Sequence, residues 1–144
     1  EQMGYKCNLD SLHAALGLVQ LKKLDGMNDR RREIAQYYRK NLSTRLTFQI
    51  DNNRYHHTYH LFPIKLPSNI NRDDFMEKLK EKNIGSSVHF IPLHKHSFYK
   101  DRFNANNFSV ANKLYECSLS IPMCSAMSDD EVNYVVTKVN EIME

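Results

Sequence analysis

The amino-acid sequence predicts an α/β fold, in which a small mixed or antiparallel sheet is covered by helices and preceded by one long helix. Apolar residues recur near a 3.6-residue period from residue 9 to about residue 42, which indicates the long helix. Short apolar segments bounded by turn residues, between 46 and 122, are typical of strands. A capping box formed by Ser128 and Glu131 opens a last amphipathic helix.

The long helix differs in character between its two ends. Asn8 or Asp10 can cap its start, and Gly17 and Gly26 are the two points where we expect it to bend or break. Its first part, "LDSLHAALGLVQL", is apolar on nearly every side, whereas "NDRRREIAQYYRKNL" carries one clean apolar stripe. A helix that is apolar all round has to be buried all round. We therefore expect the first part to pack on another domain or another subunit.

The strands and helices that follow are predicted from local signals. Strands are expected at 46–50 and 59–66, and Pro63 makes the second an edge strand or places a bulge there. A helix over about 72–83 is capped by Asn71 and is expected to stop at Gly85. The remaining predictions are a strand "SSVHFI", a helix over 109–117, a strand "LSIP" and the last helix, with an apolar stripe at Val132, Val135, Val136, Val139 and Ile142.

The composition favours a cytoplasmic protein that binds neither nucleic acid nor a membrane. Hydrophobic residues make up 41% of the 144 residues and charged residues 26%, as in ordinary globular proteins. The net charge of +3 is mild, and the one basic run, at residues 30–32, is predicted to be a solvated helix face. No apolar run approaches the roughly 18 residues that a membrane span needs. The three cysteines show no CxxC spacing and are interpreted as reduced thiols.

The first residues, "EQMGYKC", show neither an initiator Met at position 1 nor a signal peptide. We expect either a processed protein or a piece of a longer one.

Histidines are the most unusual feature, because six of the seven lie between residues 56 and 96. His89, His94 and His96, together with a carboxylate such as Asp101, could form a three-ligand metal site. Against this, no helix places the three on one face, as an HExxH spacing would. The alternative is that each histidine caps, packs or faces solvent, and His13 is expected to be structural. No GxSxG, P-loop or GxGxxG motif is present.

Five segments in order carry a resemblance to a known family. "GYKCNLDSLHAALGLVQLKKLDGMNDRRREIAQYY" resembles the carboxyl-terminal part of the DegT/StrS-type sugar aminotransferases. The later segments match in the same order: "HHTYHLFPI", "FMEKLKEKNIGSSVHFIPLHKHSFY", "VANKLYECSLSIPM" and "MSDDEVNYVVTKVNEI". Each motif alone is weak, but five in the right order and spacing cover essentially the whole chain.

This resemblance implies the small carboxyl-terminal domain of a fold-type I enzyme that depends on pyridoxal phosphate (PLP). Such enzymes move an amino group, usually from glutamate, to a nucleotide-linked keto sugar, and they act as homodimers with active sites at the subunit boundary. The chain then divides into 1–45, a cofactor-phosphate loop with a connecting helix, and 46–144, the small α/β domain.

The resemblance also implies that this chain lacks the lysine that forms the Schiff base with PLP. In the family that lysine, and the carboxylate that pairs with the pyridine nitrogen, precede the "GYKCN" region, and no stretch here resembles either. The chain alone is therefore expected to be inactive, with no catalytic residue of its own, and to need an amino-terminal PLP domain as a partner.

Site residues follow from the family motifs position by position. Lys6 and Asn8 occupy positions whose side chains reach the cofactor phosphate of the partner subunit, and Cys7 replaces the more usual aromatic residue. His60, His89 and His94 match histidines on the sugar-nucleotide side of the pocket, and Tyr99 is a further candidate from the same loop. Two alternatives stay open: a non-catalytic binding or interaction domain derived from this family, and a histidine-rich metal-binding module.

Overall fold

The computed structural model describes residues 4–52, 54–102 and 104–144 and confirms the predicted fold class. Its strands form one antiparallel three-stranded sheet in the order β1-β2-β3. The strands are β1 (Thr47–Phe48), β2 (Phe62–Lys65) and β3 (Ser118–Ile121). The helices are α1 (Ser11–Asn41), α2 (Arg72–Glu81), α3 (Ser109–Cys117) and α4 (Asp129–Met143), with short 3₁₀ turns at Leu93–Lys95 and Ala105–Phe108.

Helix α1 runs unbroken through both glycines, so the predicted break is wrong. Its start is capped by Asp10, whose side chain accepts a hydrogen bond from the His13 N–H at 2.9 Å. That hydrogen bond holds the pKa of the Asp10 carboxyl below its usual range. No heavy atom outside the helix lies near a Cβ built at Gly17 or Gly26, so neither glycine is needed for close packing within the described chain.

The hydrophobic core lies between one face of the sheet and helices α1, α2 and α4. The second half of α1 enters it through Ile34, Ala35 and Tyr38, all almost fully buried. The Tyr38 hydroxyl donates to the Pro122 carbonyl at 2.8 Å, and its ring meets the edge of Phe62 at 5.1 Å between centroids. Burial raises the pKa of Tyr38. The predicted stripe of α4 faces the same core, with its four valines buried.

Pro63 does not lie on an edge strand, because β2 pairs with β1 on one side and with β3 on the other. The Leu66 N–H donates to the Cys117 carbonyl and so points to the β3 side. Successive residues of a strand direct their backbone N–H groups to alternate sides, so Pro63, three residues earlier, directs its ring nitrogen to the β1 side. β1 pairs only with Ile64 and Lys65 and has ended before it reaches Pro63. The missing N–H therefore leaves no ladder bond unmade.

Two further predictions are corrected by the backbone hydrogen bonds of the structure. The segment "SSVHFI" is not a strand: Ser87 is its one described residue whose backbone pairs with the sheet, through two hydrogen bonds to Ser120 of 3.1 and 2.7 Å. Helix α2 is capped by Asn71 as predicted, but it ends at Glu81, with Lys82 as its C-cap, ahead of the predicted stop at Gly85. Asn83 has a positive φ of 56°, and the next N–H, of Ile84, returns to the Leu79 carbonyl at 2.9 Å.

The three arginines at 30–32 do not form the predicted solvated face. Arg30 donates to the Met127 carbonyl at 2.8 Å and to Asp129 at 2.7 Å, which joins α1 to the start of α4. Arg32 donates to the His57 carbonyl at 3.0 Å. Arg31 donates to Asn28 on the same helix at 3.1 Å. Arg30 and Arg32 are thus held by acceptors from distant segments, which the periodicity of the sequence does not reveal.

Candidate functional site

A mostly apolar cleft of about 410 Å³ lies between β3, α3 and the segment 88–92. Its size falls in the range of small-molecule pockets, roughly 300–1,000 Å³. His89, Phe90 and Pro92 line one side, and Leu114 and Tyr115 of α3 line another. Pro63 and Ser120, which pair across β2 and β3, form part of its floor.

His89 is held at this cleft by β3. Its Nδ1 lies 3.0 Å from the Ser120 hydroxyl, and its ring meets Phe90 edge-on at 4.9 Å. The ring remains exposed. The predicted candidate therefore stands at the mouth of a cleft with one ring nitrogen already occupied.

His94 is placed differently, although it is only five residues away. It is 7% exposed, its Nε2 lies 2.8 Å from the Asn112 side-chain oxygen, and its ring stacks on Phe108 at 4.6 Å. Both contacts fasten the 3₁₀ turn Leu93–Lys95 to α3 and the turn before it. In this structure the ring of His94 faces protein rather than solvent.

Lys95 and Tyr115 complete the attachment of this segment to α3. The Lys95 ammonium lies 4.8 Å from the centroid of the Tyr115 ring and 3.6 Å from Glu116. The guanidinium of buried Arg72 covers the same ring at 5.0 Å, and it donates to the Tyr115 carbonyl at 2.8 Å. The segment is thus fixed at both ends, while Phe90, Ile91 and Leu93 between them remain exposed.

His60 and Tyr99 lie outside the lining of this cleft. His60 is exposed just before β2, and Tyr99 is half-buried, with its N–H donating to the His96 carbonyl at 2.9 Å. His96 is exposed, and its Nε2 lies 3.3 Å from the Ile91 carbonyl. The structure therefore places His89 and His94 in the segment beside the cleft, whereas His60 and Tyr99 lie away from the cleft lining.

The loop before β2 is held by a tyrosine–carboxylate pair. The buried Tyr59 hydroxyl donates to the Asp51 carboxylate, and the Tyr59 N–H donates to Nδ1 of His57 at 2.9 Å. Burial is the main cause that raises the pKa of Tyr59, and the hydrogen bond to Asp51 raises it further. The same hydrogen bond lowers the pKa of Asp51. The pair fixes the approach of the chain to β2 and hence the position of His60.

Lys6 and Asn8 lie in the exposed segment that precedes α1. An ammonium and an amide N–H₂ are suitable donors for a phosphate group. Residues 4–10 are all exposed, so this segment does not form an enclosed site around the two side chains. The donor set thus fits part of a phosphate site, whose remaining donors would come from another surface.

The first half of α1 exposes two apolar stripes on different sides of the helix. Leu12, Leu16 and Val19 form one, and Leu18, Leu21 and Leu24 form the other; each of these side chains is at least 41% exposed. An exposed apolar area of this kind is typical of an interaction surface. The expectation that this part of the helix is not covered by the chain itself is confirmed.

Sequence reasoning missed Ser120, Asn112 and Phe108, which hold the two histidines. Ser120 was predicted only as part of a strand, and no local signal pairs it with His89, 31 residues away. Within the described ranges, no three His, Cys, Asp or Glu side chains group to hold a metal ion. None of the described helices is both long and apolar enough to cross a membrane.

Comparison with known proteins gives a consistent result. The profile of the DegT/DnrJ/EryC1/StrS aminotransferase family matches residues 1–140. The chain is 41% identical to the uncharacterized protein MJ1066 of Methanocaldococcus jannaschii, over 99% of this chain and 39% of the relative. It is 39% identical to the spore coat polysaccharide biosynthesis protein SpsC of Bacillus subtilis, over 100% of this chain and 39% of SpsC.

The solved structure of Spr1654 from Streptococcus pneumoniae shares the fold with a TM-score of 0.88 at 26% identity, over 96% of this chain and 36% of Spr1654. Spr1654 is known in its apo form and in forms with PLP and with pyridoxamine phosphate (PMP). The chain spans less than two fifths of the length of each of these three relatives.

Proposed function

Because this chain belongs to the DegT/DnrJ/EryC1/StrS aminotransferase family, whose members are PLP-dependent sugar aminotransferases, we propose that it forms the carboxyl-terminal part of such an enzyme. The enzyme would transfer an amino group, with glutamate as donor, to a nucleotide-linked keto sugar in the cytoplasm. The short coverage of each relative supports a role as one part of a larger catalytic unit.

The observation that carries this proposal is the exposed first half of α1. A helix with apolar stripes on two sides is typical of a helix that other surfaces cover. A PLP-binding domain on one stripe and a second subunit on the other would account for both. A homodimer with active sites at the subunit boundary fits this arrangement.

The cofactor site would be shared between surfaces. PLP, when bound, supplies the electron sink that amino-group transfer requires. Lys6 would place a positive charge, and Asn8 amide donors, against its phosphate. Because both belong to the exposed segment just before α1, docking of α1 on a partner surface would set their position relative to the cofactor.

The sugar side of the site would be formed by the cleft and the loop that follows it. His89 offers a ring nitrogen at the cleft mouth, and His94 fixes the segment that carries it. His60 and Tyr99 are the more distant candidates for contact with the nucleotide sugar. Lys100 and Arg102 are exposed in the loop that contains Tyr99. They place positive charge where a nucleotide diphosphate would approach.

The proposal predicts that this chain alone forms no specific covalent adduct with PLP. After incubation with PLP and reduction with borohydride, peptide mass spectrometry is expected to show only trace labelling spread over several lysines. The reason is that no stretch of this chain resembles the region of the family's Schiff-base lysine, and the helical Lys22 and Lys23 are both exposed. Full-length Spr1654, which is known in a form with PLP, is treated alike as the positive control. A stoichiometric adduct at one lysine of this chain would contradict the proposal.

A further inference from the structure

We infer that Ser120 is a positioning residue for substrate binding: its hydroxyl orients the His89 ring so that Nε2 faces a ligand in the cleft. The inference rests on the proposed function and adds a residue to it. The juxtaposition that carries it is a buried hydroxyl on β3, 3.0 Å from Nδ1 of an exposed histidine at the cleft mouth.

Ser120 is itself firmly held. It is 6% exposed and is paired with Pro63 across the sheet. On its other side its N–H and carbonyl are both bonded to Ser87, at 2.7 and 3.1 Å. Its backbone is therefore fixed by two neighbours, and its hydroxyl is a rigid reference point for the ring of His89.

The backbone bridge between Ser87 and Ser120 also sets the position of the His89 main chain. Ser87 is tied to β3 two residues before His89, so the main chain and the ring of this short segment are both attached to Ser120. A ring held at Nδ1 cannot rotate freely about its side-chain torsions, and its Nε2 is presented in one direction. Nε2 has no hydrogen-bond partner among the described residues, which leaves it for a ligand hydroxyl or phosphate.

The other two histidines of the segment do not offer this arrangement. Nε2 of His94 is bonded to Asn112 and the ring is covered by Phe108. Nε2 of His96 lies near a backbone carbonyl of its own loop. His89 alone among the three thus combines an occupied Nδ1, an exposed ring and a place in the cleft lining.

The test follows the imidazole nitrogens of His89 by ¹⁵N NMR in this chain and in Ser120→Ala. A hydroxyl bonded to Nδ1 biases which nitrogen carries the proton, so its loss should change the tautomer ratio of His89 by roughly three- to tenfold. Ser120→Thr, which keeps a hydroxyl, should restore the bias. Ser87→Ala is the matched control, because it removes a neighbouring hydroxyl and keeps the backbone bridge.

Two results would overturn the inference. One is an unchanged His89 tautomer ratio in Ser120→Ala; the other is an equal change in Ser87→Ala, which would indicate general loosening of the segment. If Ser120→Ala does not fold, Ser120→Cys provides the same comparison with a much weaker hydrogen-bonding group.

A titration with UDP-glucose and dTDP-glucose as probes separates this inference from the proposed function. Binding should perturb the His89 Nε2 signal and weaken about three- to tenfold in Ser120→Ala, with no loss in Ser87→Ala. A tautomer effect without any response to either probe would keep Ser120 as the positioner of His89 and count against the nucleotide-sugar assignment. Binding that is equally tight in wild type and Ser120→Ala would overturn the role of Ser120.

Discussion

Replacing Leu16 by glutamate is expected to weaken binding of this chain to a PLP-binding domain of its family at least about a hundredfold, with little change in the chain's own stability. Leu16 is 57% exposed and touches no part of the described core, so unfolding in urea should shift by no more than about 0.5 kcal/mol. In a complex, the same carboxylate would be buried without a partner, at a cost of about 3–5 kcal/mol. The Kd should therefore rise at least about a hundredfold.

Calorimetry against the part of SpsC outside the region matched by this chain would measure that affinity. Ile50→Glu is the matched control, since Ile50 is 90% exposed, lies outside α1 and 34 residues along the chain from Leu16, and receives a similar change from an apolar side chain to glutamate. Equal binding of Leu16→Glu and wild type would show that this stripe of α1 is not the docking surface.

Replacing Tyr38 by alanine is expected to produce the largest loss of stability in the chain, about 3–5 kcal/mol. Tyr38 is 0% exposed, packs on Phe62 and donates to the Pro122 carbonyl, so the change leaves a cavity and an unpaired acceptor. Tyr38→Phe, which keeps the ring, should lose only about 1–2 kcal/mol. Urea unfolding followed by circular dichroism measures both.

The same experiment tests the predicted division of the chain at residue 45. A single transition that shifts as a whole in Tyr38→Ala would show that the second half of α1 unfolds together with 46–144. Two separate unfolding transitions, of which Tyr38→Ala shifts only one, would indicate that the connecting helix unfolds independently of the small domain. A loss below about 1 kcal/mol in Tyr38→Ala would contradict the described packing.

Features decided by near neighbours were predictable from the sequence. The caps at Asn71 and Ser128 depend on residues two or three positions away, and the apolar stripe of α4 is visible in its own periodicity. The bounds predicted for α3, 109–117, agree with the structure for the same reason. The uncovered first part of α1 followed from its excess of apolar residues.

Features decided by distant partners were not predictable. Pro63 was expected to lie on an edge strand or at a bulge, because a proline has no N–H to donate to a neighbouring strand. In the structure β1 ends before it reaches Pro63, so no such N–H is needed, and the sequence of β2 alone does not reveal where β1 ends. The segment "SSVHFI" has the composition of a strand, but among its described residues the backbone pairs with β3 at Ser87 only. His89 and His94 looked equivalent as motif matches, and only Ser120 and Asn112, 31 and 18 residues away, distinguish an exposed ring from a buried one.

The most direct measurement of the central claim is amino-group transfer by a chimera in which this chain replaces the matched region of SpsC. Loaded with PLP, the chimera is expected to convert its cofactor to PMP with glutamate and to return to PLP with a nucleotide-linked keto sugar, as followed by absorbance. SpsC itself is the reference for both half-reactions. A chimera that folds and binds PLP, yet transfers no amino group where SpsC does, would contradict the claim that this chain is the carboxyl-terminal part of a sugar aminotransferase.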